Sequence, residues 1–190
     1  MFDKTARKIL KGASRTHGFT LVELMITVAV GAVLIVLALP SFRELSIRSN
    51  VTNITNQLVL ALNAARSEAV RRGTQVEVVN STGSNIWTAS WSVKADSNND
   101  GSFTVTDTVV TAQSGAPTGY SVCSKSTGGG ADQAVVFDQT GALVKPVASF
   151  DINVNRPDGN RVTSQHITIK GSGEVQTQKN TTSSPAPTSC

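Results

Sequence analysis

Residues 17–42 read HGFTLVELMITVAVGAVLIVLALPSF, and the one acid in this apolar run decides how the rest of the chain is understood. From Phe19 to Leu39 the only charged side chain is Glu23. At about 1.5 Å per residue the segment spans roughly 31 Å as a helix, enough to cross the hydrocarbon core of a bilayer. A carboxylate inside such a segment costs about 2.5–3.5 kcal/mol on insertion scales, so it marks a functional group that needs a partner. A plain membrane anchor gives no reason for it.

The chain has 190 residues and a net charge of +4. That charge belongs to residues 1–18, where Lys4, Arg7, Lys8, Lys11 and Arg15 face only Asp3. The remaining residues carry equal numbers of acids and bases, so the overall charge supports no general affinity for nucleic acid. Basic residues ahead of the span place the leader in the cytoplasm and everything after Pro40 outside. A cleaved secretory signal fits less well: the apolar region exceeds the usual 7–15 residues and no A-x-A site closes it.

The sequence GFTLVEL, preceded by a short basic leader and followed by an apolar helix, resembles the class III signal of type IV pilins and type II secretion pseudopilins. The resemblance implies that a prepilin peptidase cuts after Gly18 and methylates the new N-terminus at Phe19. It also implies that Glu23 pairs with the N-terminal amine of a neighbouring subunit during assembly. Two charges that meet in a low dielectric compensate one another, whereas either alone is costly. Residues 39–79, LPSFRELSIRSNVTNITNQLVLALNAARSEAVRRGTQVEVV, are similar to the N-terminal half of the FimT/FimU minor pilins and the GspH pseudopilins. ARSEAVRRG, Ala65 to Gly73, is the most telling part.

Beyond the span, Ile47, Val51, Ile54, Leu58, Ala61, Leu62, Ala65 and Ala69 recur at the 3–4 spacing of one buried helical stripe. Pro40, without an amide donor, should kink or loosen the helix between its halves. Gly73 after Arg71 and Arg72 is a C-terminal stop. The helix should therefore cover about 54 residues, on the order of 80 Å. After Gly73 the pattern turns to strands. QVEVV, WTASWSV (Trp87, Ala89, Trp91 and Val93 on one face), FTVTDTVVTA, YSVC, AVVFD, FDINVN and HITIK are separated by Gly, Asn, Asp and Pro turns. The expected fold class is α+β, type IV pilin-like: a long N-terminal helix, transmembrane in its first half, packed on an antiparallel sheet or small sandwich of about seven or eight strands. The expected divisions are a cleaved leader (1–18), a transmembrane half-helix (19–40), an amphipathic half-helix (41–73), a β-rich domain (74–179) and a low-complexity tail (180–190).

Cys123 and Cys190 both follow the span, and an even pair in an oxidising compartment most simply forms a disulfide, with two free thiols as the alternative. Closing a loop of roughly 68 residues is worth about 4 kcal/mol in the chain-entropy model. In DSNNDGSFTVTD, oxygen side chains stand at positions 1, 3, 5 and 12 of a calcium loop (Asp96, Asn98, Asp100, Asp107) with Gly101 sixth. Against calcium, the flanks read as strands and the last acid is Asp; a hairpin turn uses the same residues. No other cofactor is indicated.

Some FimT-like relatives bind DNA through a GRxR-type segment. The corresponding GSGEVQTQK has Glu174 and Gln176 where arginines are needed. Arg156 and Arg161 could contact phosphate, but two arginines flanking Asp158 form a weak footprint, and a solvated loop is the plainer account. Catalysis lacks a constellation: His17 leaves with the leader, and His166 reads as an exposed strand residue without partners. Arg66, Glu68, Arg71 and Arg72 fit either a solvated ion-paired face or a role at the helix–sheet junction.

The resemblance thus implies a non-enzymatic minor pilin of the FimT/FimU type that joins a type IV pilus, the extracellular fibre of twitching motility and adhesion, and helps prime it near the tip. Its partners would be other minor pilins, the major pilin, prepilin peptidase and the inner membrane. The alternatives are a GspH-like pseudopilin of a type II secretion system and a pilus DNA receptor for transformation.

Overall fold

The computed structural model describes residues 18–127, 133–145 and 148–180. The chain divides into two units, residues 1–42 and 43–190. One helix, α1 (Leu21–Arg72), contributes to both, with Pro40 inside it rather than at its end.

In the first unit, Thr20 caps the helix: its Oγ1 accepts the amide hydrogen of Glu23 at 3.1 Å. Thr20 and Glu23 stand at the spacing of a capping box, and Glu23 lies in the first turn, where the helix dipole favours an acid. The apolar side chains from Leu21 to Leu39 are exposed. This segment is long and apolar enough to cross a membrane.

In the second unit, α1 buries Val51, Ile54, Thr55, Leu58, Ala61, Leu62, Ala65 and Ala69. This is the expected stripe, except that Ile47 is only partly buried against the core, plus Thr55, whose hydroxyl donates to Val51 O at 2.8 Å and so reaches the interior already satisfied. Alanines at 61, 65 and 69 let backbone approach closely. The helix ends as expected: Gly73 has φ of +67° and its amide donates to Ala69 O at 2.9 Å.

Among the described residues nine strands follow, two more than the segments singled out in the sequence. They are β1 (Val76–Asn80), β2 (Ser90–Ala95), β3 (Thr108–Ser114), β4 (Ser121–Thr127), β5 (Ala134–Phe137), β6 (Leu143–Lys145), β7 (Ser149–Asn155), β8 (Gln165–Lys170) and β9 (Val175–Lys179), with a 3-10 turn, Arg161–Thr163, between β7 and β8. They form an antiparallel five-stranded sheet, β3-β2-β1-β5-β6, and an antiparallel four-stranded sheet, β4-β7-β8-β9. Both sheets and the helix stripe share one apolar core. At its centre Trp87 meets Phe150 edge-on, ring centroids 5.9 Å apart, while its Nε1 donates to Ser124 Oγ at 2.9 Å.

WTASWSV is not one strand. β2 begins at Ser90 and Ala89 is exposed; Trp87 belongs to a segment laid along the edge of β4. There Trp87 N donates to Val122 O at 2.8 Å and Ser124 N to Asn85 O at 2.9 Å.

Helix and both sheets meet at the glycine turns. Arg66 Nε donates to Gly141 O at 3.1 Å in the β5–β6 turn, and Leu143 N donates to Gly171 O at 2.9 Å in the β8–β9 turn. Gly173, with φ of +77°, lies so close that a Cβ would stand 1.8 Å from Gly141 O. Gly83 has φ of +63° but open space around it. Gly173→Ala should therefore lower stability by about 3 kcal/mol or more in chemical unfolding, and Gly83→Ala by only about 1 kcal/mol. Equal losses would show that the junction yields freely.

Candidate functional site

Gly18, Phe19 and Glu23 lie together at the N-terminal end of α1. Gly18 and Phe19 precede the helix, Phe19 is exposed, and Glu23 occupies the third helical position. Thr20 as the cap was missed in the sequence, although the T-x-x-E spacing carried the signal.

The most highly connected polar cluster joins α1 to the β7–β8 connection. Arg156 is buried, its side chain 1% exposed. Its Nη1 donates to Glu44 Oε1 at 2.8 Å and its Nη2 to Glu44 Oε2 at 2.6 Å. Asp158 accepts from Nε at 3.0 Å and from Nη2 at 2.5 Å, and Thr163 Oγ1 accepts from Nη1. Arg48 adds a bond to Glu44 Oε1 at 2.6 Å. Two arginines thus face two carboxylates, and bidentate geometry fixes the loop against the helix. The Arg156 guanidinium, then that of Arg48, holds the Glu44 carboxyl at about 2, below its ordinary 4.5. Asp158 is lowered by the same guanidinium.

Arg156 is therefore a structural clamp, turned inward and fully engaged, rather than the solvated loop residue of the sequence reading. Arg161 opens the 3-10 turn, and its side chain lies outside the described residues. Nearby, Asn50 Nδ2 donates to Tyr120 OH at 3.1 Å, a second bond between helix and loop.

The acids of residues 96–107 hold their own loop. Asp96 is buried and accepts from Gly101 N at 2.8 Å and Asp100 N at 3.3 Å. Asp107 accepts from Ser97 N at 3.0 Å and Thr104 N at 2.6 Å, and these amides lower its carboxyl. Asn98 donates to Asp100 Oδ2 at 2.7 Å. Among the described residues no three His, Cys, Asp or Glu side chains converge as a metal site.

His166 is half-buried, which corrects the exposed reading. Its Nδ1 lies 2.9 Å from Asn153 Oδ1 and its Nε2 3.2 Å from Asp151 Oδ1, across the β7–β8 pair. His166 and then Thr168, against the cost of burial, lower the Asp151 carboxyl. The ARSEAVRRG element serves both roles weighed for it. Arg66 holds the sheet junction, while Glu68 binds Arg71 (2.5 and 2.8 Å) and Arg72 on the surface. Cys123 lies in β4 and is disulfide-bonded; Cys190 lies outside the described residues.

Two sequence families match this architecture. The prokaryotic N-terminal methylation motif covers residues 13–39, and the family described as type II transport protein GspH covers residues 55–173. Two crystal forms of the Pseudomonas aeruginosa type IV minor pilin FimU share the fold. One has a TM-score of 0.51 at 18% identity over 68% of this chain and 90% of that one. The other has a TM-score of 0.53 at 17% identity over 72% and 90%. The minor pseudopilin EpsH of the Vibrio cholerae type 2 secretion system follows with a TM-score of 0.46 at 12% identity over 72% and 95%. Comparison with curated protein sequences gives no match.

The chain belongs to the GspH family of minor pilins and pseudopilins. It is a structural protein of the superfamily whose members assemble filaments, with the prokaryotic N-terminal methylation motif and an N-terminal helix long and apolar enough to cross a membrane.

Because the Glu44 pKa is depressed on folding, its contribution is present above about 4.5 and is lost as pH falls toward about 2. Arg156→Gln should lower the denaturation midpoint at pH 7. The gap between variant and parent should shrink as pH falls through that window. A gap that is constant with pH would remove the Glu44 pair as its source.

Proposed function

We propose that this protein is a minor pilin of the FimU/FimT type, cut after Gly18, methylated on Phe19 and incorporated into a type IV pilus, where it helps prime assembly near the tip. The observation that carries the reading is the coupling, in one chain, of the methylation motif to a GspH-family domain with a FimU-like fold. Glu23 then serves assembly by pairing with the N-terminal ammonium of an adjacent subunit. Before pairing, its place in the first helical turn keeps the acid tolerable. Cys123 pairs with Cys190 and ties the C-terminal tail to β4.

A second reading, a minor pseudopilin of a type II secretion system, is favoured by the description of the matched family itself. DNA uptake is the weaker rival, since Arg156 is spent on Glu44 and Asp158.

Deleting the gene should abolish surface pili, and deleting the retraction motor as well should restore them. Normal pili with retraction active, together with loss of secreted enzymes, would transfer the protein to the secretion system. Glu23→Val should leave cleavage intact and reduce incorporation into sheared filaments; normal incorporation would defeat the pairing role.

A further inference from the structure

The outward face of the smaller sheet is covered along one row. Cross-strand pairing sets Cys123 of β4 beside Asn153 of β7, Asn153 beside His166 of β8, and His166 beside Gln178 of β9. Side chains alternate along a strand, so this row points away from the side where Val122, Ile152, Val154 and Ile167 join the core shared with the helix and the larger sheet. Other outward positions keep solvent exposure: Ser149, Asp151 and Asn155 in β7, and Ser121 and Lys125 in β4. The alternation of burial fails at Cys123, 3% exposed, and at Asn153, 2% exposed, and these two are paired with each other. The elements that share the core lie on the opposite side, and the His166 ring, 2.9 Å from Asn153 Oδ1, stands beside Asn153 within the row.

The chain that follows β9 is placed to supply the cover. β9 ends at Lys179, one residue past the row, and Asn180 N donates to Ser164 O at 2.9 Å, so the chain leaves the sheet still held against β8. Cys123 is disulfide-bonded, and the other cysteine of the chain is Cys190. The core fills the inner side of β4, so a partner for Cys123 arrives over the outward face. From β9 to β4 is three interstrand spacings, about 14 Å, and residues 181–190 reach about 33 Å when extended. Their sequence, TTSSPAPTSC, suits the crossing. It has no charged side chain, its hydroxyls can bond a polar row, and its two prolines favour an extended chain and need no amide partner.

We propose that residues 181–190 form a strap across the outward face of the smaller sheet, seated on Asn153 and His166 and locked by a Cys123–Cys190 disulfide. The inference rests on the pairing of those two cysteines proposed for this chain. The strap turns the row into an interface within the chain. Lys125, Asp151 and Thr168, the next outward row, remain as the surface the sheet itself offers. Breaking the disulfide frees the strap and uncovers His166.

The test uses the full-length protein in detergent micelles, carrying Ala186→p-benzoylphenylalanine. After irradiation the probe should be joined to peptides of residues 149–170, and non-reducing peptide maps should recover Cys123 linked to Cys190. Attachment elsewhere, or none, with that disulfide intact overturns the strap and leaves the cysteine pairing standing. Loss of the disulfide from the map ends both. Carbethoxylation of His166 by diethyl pyrocarbonate gives a second readout: the double variant Cys123→Ser, Cys190→Ser should react at least about fivefold faster than the parent. Equal rates in two folded proteins overturn the seating on His166. Should the double variant unfold, the photoproduct of the disulfide-bonded protein decides.

Discussion

Everything in the second unit depends on the burial of one helical stripe. Val51, Ile54, Leu58 and Leu62 supply the bulk, and Ala61, Ala65 and Ala69 supply the clearance for two sheets to close over it. At roughly 1.5–3 kcal/mol for each large side chain fully buried, this face contributes more than any polar contact in the domain. The sheets need it, because neither has a second layer except through the core they share with the helix. Polar groups then fix orientation where apolar packing is indifferent. Arg66 does so at one end of the stripe and Arg156 at the other.

How much was legible follows from the range of each interaction. The stripe was readable because helical periodicity is local, and Thr55 escaped because a hydroxyl that satisfies itself on the preceding turn gives no apolar signal. The stop at Gly73 was readable for the same reason. β6 and β9 were not: one is three residues long, and the other, VQTQK, carries the polar composition of an edge. Ala89 misled because alternation runs through WTASWSV although a change of sheet partner interrupts it: the backbone of Trp87 bonds to β4, whereas Trp91 is paired with β1 and β3.

The polar sites divide in the same way. The methylation motif was visible because it is contained in consecutive residues. The Arg156 clamp was not, because its partner Glu44 lies far away in sequence and its local neighbour Asp158 suggested a solvated pair. His166 is the converse case. It looked isolated in a strand, yet strand pairing sets Asn153 opposite it and brings Asp151 within reach. The loop of residues 96–107 shows that one composition serves two ends. Acids spaced as for a cation also gather the amides of their own turn.

The strand order has a consequence for the course of folding. β1, β2, β3, β5 and β6 complete the larger sheet before β7 is made, but β4 waits for β7 to acquire its sheet partner. Glu44 waits longer still, for Arg156. During synthesis the helix is therefore finished first and clamped among the last. Until then a nearly complete domain carries a helix whose lower turns have no tertiary partner, the interval in which a protease would find it most open.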